Sequence, residues 1–101
     1  MINNKKFLES FKEYYASYGI NMNHIKNIRF NNKSISISIY NVNFFLNELY
    51  TENSLRNDII RYLIKYLDEN TDEYLIKPDE YISYEYLESK FQKINIRNIN
   101  D

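Results

Sequence analysis

The segment Ser34-Ile35-Ser36-Ile37-Ser38-Ile39 constrains the fold of this chain more than any other stretch. Successive side chains of a strand point to opposite faces, so this alternation sets three isoleucines on one face and three serines on the other. A helix would scatter the same residues around its circumference. A sheet that is apolar on one side must be covered, and the cover has to come from elsewhere in the chain. Upstream, Ile28 and Phe30 alternate with Asn27 and Arg29, and the pair Asn31-Asn32 tolerates the positive φ of a tight turn. The pattern predicts a β-hairpin over residues 25–41.

The first candidate cover is a helix over residues 4–18. Phe7, Phe11, Tyr14 and Tyr18 recur at helical spacing, with Leu8 and Tyr15 widening the stripe. Asn3 or Asn4 suits the N-cap, and Gly19 stands where a left-handed residue ends a helix. Residues 54–69 form a second amphipathic helix on Leu55, Ile59, Leu63, Tyr66 and Leu67, preceded by capping residues at Thr51–Ser54. Before that helix, residues 43–50 read as a short helix capped by Asn43, with a strand as the alternative; after it, Tyr74–Ile76 reads as a short strand or packed loop. Pro78-Asp79-Glu80 resembles a first helical turn, with Ser83 as a second possible cap. Tyr84, Leu87, Phe91 and Ile94 then keep helical spacing, and residues 95–101 read as a polar tail that frays. The expectation is one α+β domain over 1–101: an N-terminal helix, a β-hairpin or small antiparallel sheet, and two or three C-terminal helices.

Scarce residues close off much chemistry. One Gly excludes the Gly-rich cradles that hold phosphates, which need several positions of permissive φ. With no Cys and only His24, the usual zinc sites, cysteine nucleophiles and disulfides are gone. His24 lies in a loop with no serine or acid placed beside it by local spacing, and reads as an ordinary loop histidine. Paired acids such as Asp68/Glu69, Asp72/Glu73 and Asp79/Glu80 lack the spacing and glycine turn of a calcium loop. A non-enzymatic protein without cofactor or metal is expected. No apolar run reaches the ~18 residues of a membrane span, and Met1–Lys6 lacks an apolar signal core, so the expected location is the cytoplasm.

The formal net charge of −1 conceals an uneven distribution. Residues 1–47 carry six Lys/Arg against two acids, and residues 48–101 carry seven against twelve. Within 68–88, eight acids face Lys77 alone, interleaved with Tyr74, Tyr81, Tyr84 and Tyr86. Acids among tyrosines suit docking onto a basic, partly apolar protein surface, because tyrosine gives contact area at low entropic cost. The first functional candidate is therefore a protein-binding face made by Asp72, Glu73, Tyr74, Asp79, Glu80, Tyr81, Tyr84, Glu85 and Glu88. Its bland counterpart is a solvated acidic surface. The second candidate is a nucleic-acid contact through Lys26, Arg29 and Lys33, with Phe30 or Tyr40 stacking on a base. The serine face reads as solvent-facing polarity, or as an edge open to strand addition.

Two resemblances bear on these candidates. Leu55–Leu67 followed by Ser83–Phe91 looks like the first two helices of a winged-helix domain, which implies DNA reading by a third, basic helix; no such helix follows in the sequence. Across most of its length the chain is similar in layout and charge to small phage-encoded anti-CRISPR proteins and other nucleic-acid-mimic inhibitors. The shared features are a short α/β layout, no cysteine, and an acidic, aromatic segment like Asp68–Glu88. The abundance of residue types with A/T-rich codons, including 16 Asn and 15 Ile, is compatible with a phage or plasmid of a low-GC bacterium. The resemblance implies an inhibitor that occupies the basic groove of a nucleic-acid-handling effector.

Overall fold

The computed structural model describes residues 2–31, 33–40, 50–70 and 82–99. Helix α1 (Asn4–Ala16) leads into strands β1 (Ile25–Phe30) and β2 (Ser34–Tyr40). Helices α2 (Glu52–Glu69) and α3 (Tyr84–Lys90) follow, and strand β3 (Lys93–Ile99) completes the described chain. This is an α+β arrangement, with β2 at the centre of a mixed three-stranded sheet ordered β1-β2-β3. β1 pairs with β2 antiparallel, and β3 pairs with β2 parallel.

Local chemistry fixes the helix ends. The Asn3 side chain accepts from Lys6 N–H at 3.0 Å, Thr51 caps α2 through Ser54 N–H, and Ser83 caps α3 through Tyr86 N–H. At the end of α1, Gly19 takes φ +78°. Its N–H reaches Ala16 C=O at 2.9 Å while Ile20 N–H reaches Tyr15 C=O at 3.0 Å, which closes the last turn on itself. Tyr18, expected on the buried stripe, lies beyond the helical span and is 67% exposed.

The core is one cluster between the helices and a single face of the sheet. Phe7 and Phe11 of α1 and Leu55, Ile59 and Leu63 of α2 meet Ile28, Ile35, Ile37 and Ile39 of the sheet, all fully buried. No buried residue is polar or charged among those described. Phe7 is an aromatic hub, with its ring centroid 4.9 Å from Phe30, 5.5 Å from Tyr62 and 5.2 Å from Tyr66. α3 adds Leu87, and Phe91 just after it packs toward Phe30 at 5.8 Å.

Several expectations change. The helix expected to run to residue 94 ends at Lys90, and the expected fraying tail is instead strand β3. Ile94 and Ile96 alternate with Lys93, Asn95 and Arg97, so this segment also has a strand period and finds a partner in β2. The sheet is therefore mixed and not antiparallel: a parallel pair needs a long crossover, and the chain between β2 and β3, which includes α2 and α3, is long enough to supply one. β3 also follows α3 where the winged-helix likeness would require a recognition helix. β2 is central, so its serines do not lie on an edge open to strand addition. The segments 43–49 and 74–76 and the turn at Pro78 lie outside the described residues.

Candidate functional site

The helices cover one face of the sheet. The composition of the other face is set by strand period and by one irregularity in β1. Ile25 and Ile28 are both buried although three residues apart, which a regular strand does not allow. The pairing with β2 shifts between Ile25 and Asn27, so an extra residue is accommodated there as a bulge. The bulge keeps both isoleucines in the core and leaves Lys26 exposed beside Asn27. Lys26 Nζ then lies 4.1 Å from the centroid of the Tyr40 ring.

Cross-strand rows on this open face follow from the register. Asn27, Ser38 and Arg97 form one row across the three strands, and Arg29, Ser36 and Asn95 form the next. Ser34 pairs with Lys93 at one end, and Tyr40 with Ile99 at the other. Each arginine thus faces an asparagine across a central serine, and the two arginines occupy opposite corners. Sheet dimensions put their Cα atoms about 12 Å apart. Between these long side chains the short serines leave a trough of about 350 Å³, lined by Asn27, Arg29, Ser36, Ser38, Asn95 and Arg97, with Ile37 and Ile99 completing it.

No carboxylate belongs to these rows, and among the described residues no ion pair engages Arg29, Lys33, Lys93 or Arg97. Lys33 stands at the hairpin turn, where its carbonyl accepts from Lys93 N–H at 3.3 Å, so both lysines mark the same end of the sheet. On α1, burial lowers the ammonium pKa of Lys12 from its ordinary value, and the neighbouring charge of Lys26 lowers it further. Lys12 of α1 and Lys26 of β1 are therefore close enough to repel one another.

The sequence-predicted residues fare differently. Arg29 is on the open face, with Lys26 and Lys33 at its margins, while Phe30 points into the core and takes no part. Arg97 and Asn95 escape the sequence reading because their segment reads as a tail, and Lys93 because it falls in the expected end of the last helix; the Lys93–Arg97 alternation is the available signal. In the acidic set, Asp72, Glu73, Tyr74, Asp79, Glu80 and Tyr81 lie outside the described residues. Glu88 pairs with Arg56 of α2 at 3.0 Å, and the Tyr84 hydroxyl donates to Asn57 Oδ1, so both tie α3 to α2. Burial, and then the charge of Glu88, raise the phenol pKa of Tyr84. Glu85 is exposed. His24 precedes β1 and contributes its carbonyl to Tyr40 N–H at 2.7 Å.

A second hollow, of about 290 Å³, lies between α1 and α2 beside Tyr14, Tyr18, Tyr62 and Arg61. Lys65, at its rim, pairs with Glu69. Among the described residues no group of three or more acids or histidines is placed to hold a metal ion, and no helix is long and apolar enough to cross a membrane. Comparison with protein-family models, curated proteins and solved structures found no match to this chain.

Proposed function

We propose that this chain binds nucleic acid through the open face of its sheet. The observation that carries the reading is the convergence of Arg29 and Arg97, from strands far apart in sequence, on one face where no described residue is a carboxylate. Guanidinium groups match phosphate geometry and stay charged, and Lys93 and Lys33 extend the same charge along the sheet. Ser36, Ser38, Asn27 and Asn95 add short hydrogen-bonding groups that suit sugar and phosphate oxygens. The net charge of −1 does not oppose this, because screening limits interactions to about 10 Å at moderate salt. A phosphate on the sheet responds to the local arginines more than to acids such as Asp68, Glu69 and Glu85 on the helices.

Anisotropy of a labelled oligonucleotide tests the reading. The wild-type protein binds it, the double reversal Arg29→Glu/Arg97→Glu abolishes binding, and Glu85→Lys does not weaken it. Wild-type protein that ignores the oligonucleotide overturns the sheet-face reading. It would favour instead an anti-CRISPR-like inhibitor that meets the basic groove of a nucleic-acid-handling effector through Glu85 and the acidic segment 72–81.

A further inference from the structure

We infer that the nucleic acid taken by this face is single-stranded, with Tyr40 as the platform on which a base stacks. The inference rests on the sheet-face reading above. Reading duplex DNA through its major groove, about 12 Å wide, takes a helix or a β-ribbon that projects into it. Here the centre of the face carries its shortest side chains, Ser36 and Ser38, with Arg29 and Arg97 standing on the outer strands. The result is a trough and not a ridge, and none of the described elements projects from it to enter a groove. A single strand can lie in such a trough with phosphates toward the arginines, and the serine and asparagine side chains are then within reach of base edges and sugars.

Tyr40 supplies the second element. It follows Ser34, Ser36 and Ser38 on the same side of β2, and it pairs with Ile99 at the end of the face opposite Lys33 and Lys93. Its ring carries the ammonium of Lys26 at 4.1 Å. An exposed contact of this kind is weaker than base stacking on an aromatic ring, so a base displaces the ammonium. Lys26 then sits at the rim of the stack, where a phosphate of the same strand can meet it. Duplex bases are already stacked on one another and cannot use Tyr40 in this way.

Equilibrium binding of labelled oligothymidine, and of a duplex of equal length, measures the preference directly. Single strand binds at least ~10-fold tighter than duplex, Tyr40→Ala weakens the single strand roughly 5- to 100-fold, and Tyr40→Phe retains affinity. Thermal melts of both variants verify folding, and Tyr40→Phe keeps the assay informative if Tyr40→Ala unfolds. Equal or tighter binding of duplex, or unchanged affinity of folded Tyr40→Ala, overturns this inference and leaves the sheet-face reading standing. Binding of neither probe overturns both.

Discussion

Arg29 on β1 and Arg97 on β3 line the same trough, separated across the sheet by Ser36 and Ser38 of the central strand. The two positions are brought together only when β3 adds to β2 in parallel, after α2 and α3 have crossed the layer. The candidate site therefore depends on the whole topology, and loss of β3 would leave Arg29 without its counterpart.

Core integrity is most exposed at Phe7. Its ring is fully buried and touches Phe30, Tyr62 and Tyr66, which join α1, the sheet and α2. Phe7→Ala should cost about 3–5 kcal/mol, from lost transfer free energy plus the cavity left behind. Urea unfolding followed by circular dichroism measures this. A loss below about 1 kcal/mol would contradict the hub role.

Gly19 isolates a backbone effect. A Cβ there meets nothing within 4 Å, yet φ is +78°, so Gly19→Ala should cost about 1 kcal/mol through conformation alone. Gly19→Asn should recover part of that loss, since Asn tolerates the left-handed region. Equal stability of all three proteins would show that the turn relaxes to another conformation.

α3 is held by apolar contact more than by charge. Arg56 and Glu88 form an exposed pair, worth less than about 1 kcal/mol, whereas buried Leu87→Ala should cost about 2–5 kcal/mol. Denaturation of Glu88→Gln beside Leu87→Ala compares the two. The reverse ranking would mean that the ion pair anchors the helix.

Alkaline pH should destabilise the fold through Tyr15 and Tyr50. Burial raises both phenol pKa values well above the ordinary 10.0; after burial, the nearby Asp58 carboxylate raises Tyr15, and a hydrogen bond to Asp58 raises Tyr50. The Tyr50 hydroxyl donates to Asp58 Oδ2 at 2.7 Å. Above the unfolded value near 10.0 the unfolded chain releases these protons while the folded chain keeps them. The stabilisation is complete below that pH and is lost as pH rises toward the folded values. Phenolate absorbance should therefore show a late wave coincident with unfolding. Reversible titration of all eleven tyrosines near pH 10.0 would contradict this.

Much of the fold was legible because its signals are local. The Ser-Ile alternation specified β2, the spacing of Phe7 and Phe11 specified α1, and the caps were legible as short choices: Asn3 or Asn4 for α1, the stretch Thr51–Ser54 for α2, and Ser83 as the second of two possible starts, after Pro78, for the last helix. β3 was masked by competition between periods. Phe91 and Ile94 continue a helical spacing from Leu87, while Ile94 and Ile96 begin a strand spacing, and only pairing with β2 decides between them. Missing β3 also hid Arg97, and with it the charge balance of the open face. The bulge at Lys26 was equally hidden, since its effect on which side chains share a face depends on the partner strand.

The central claim is that Arg29 and Arg97 bind phosphates, and the salt dependence of affinity tests it most directly. For a single strand, each phosphate neutralised contributes about 0.7 to the slope of log affinity against log salt concentration. Wild-type protein should bind oligothymidine with a steep negative slope, and Arg29→Ala/Arg97→Ala should flatten it by about 1.4. An unchanged slope in the folded double variant would contradict the account.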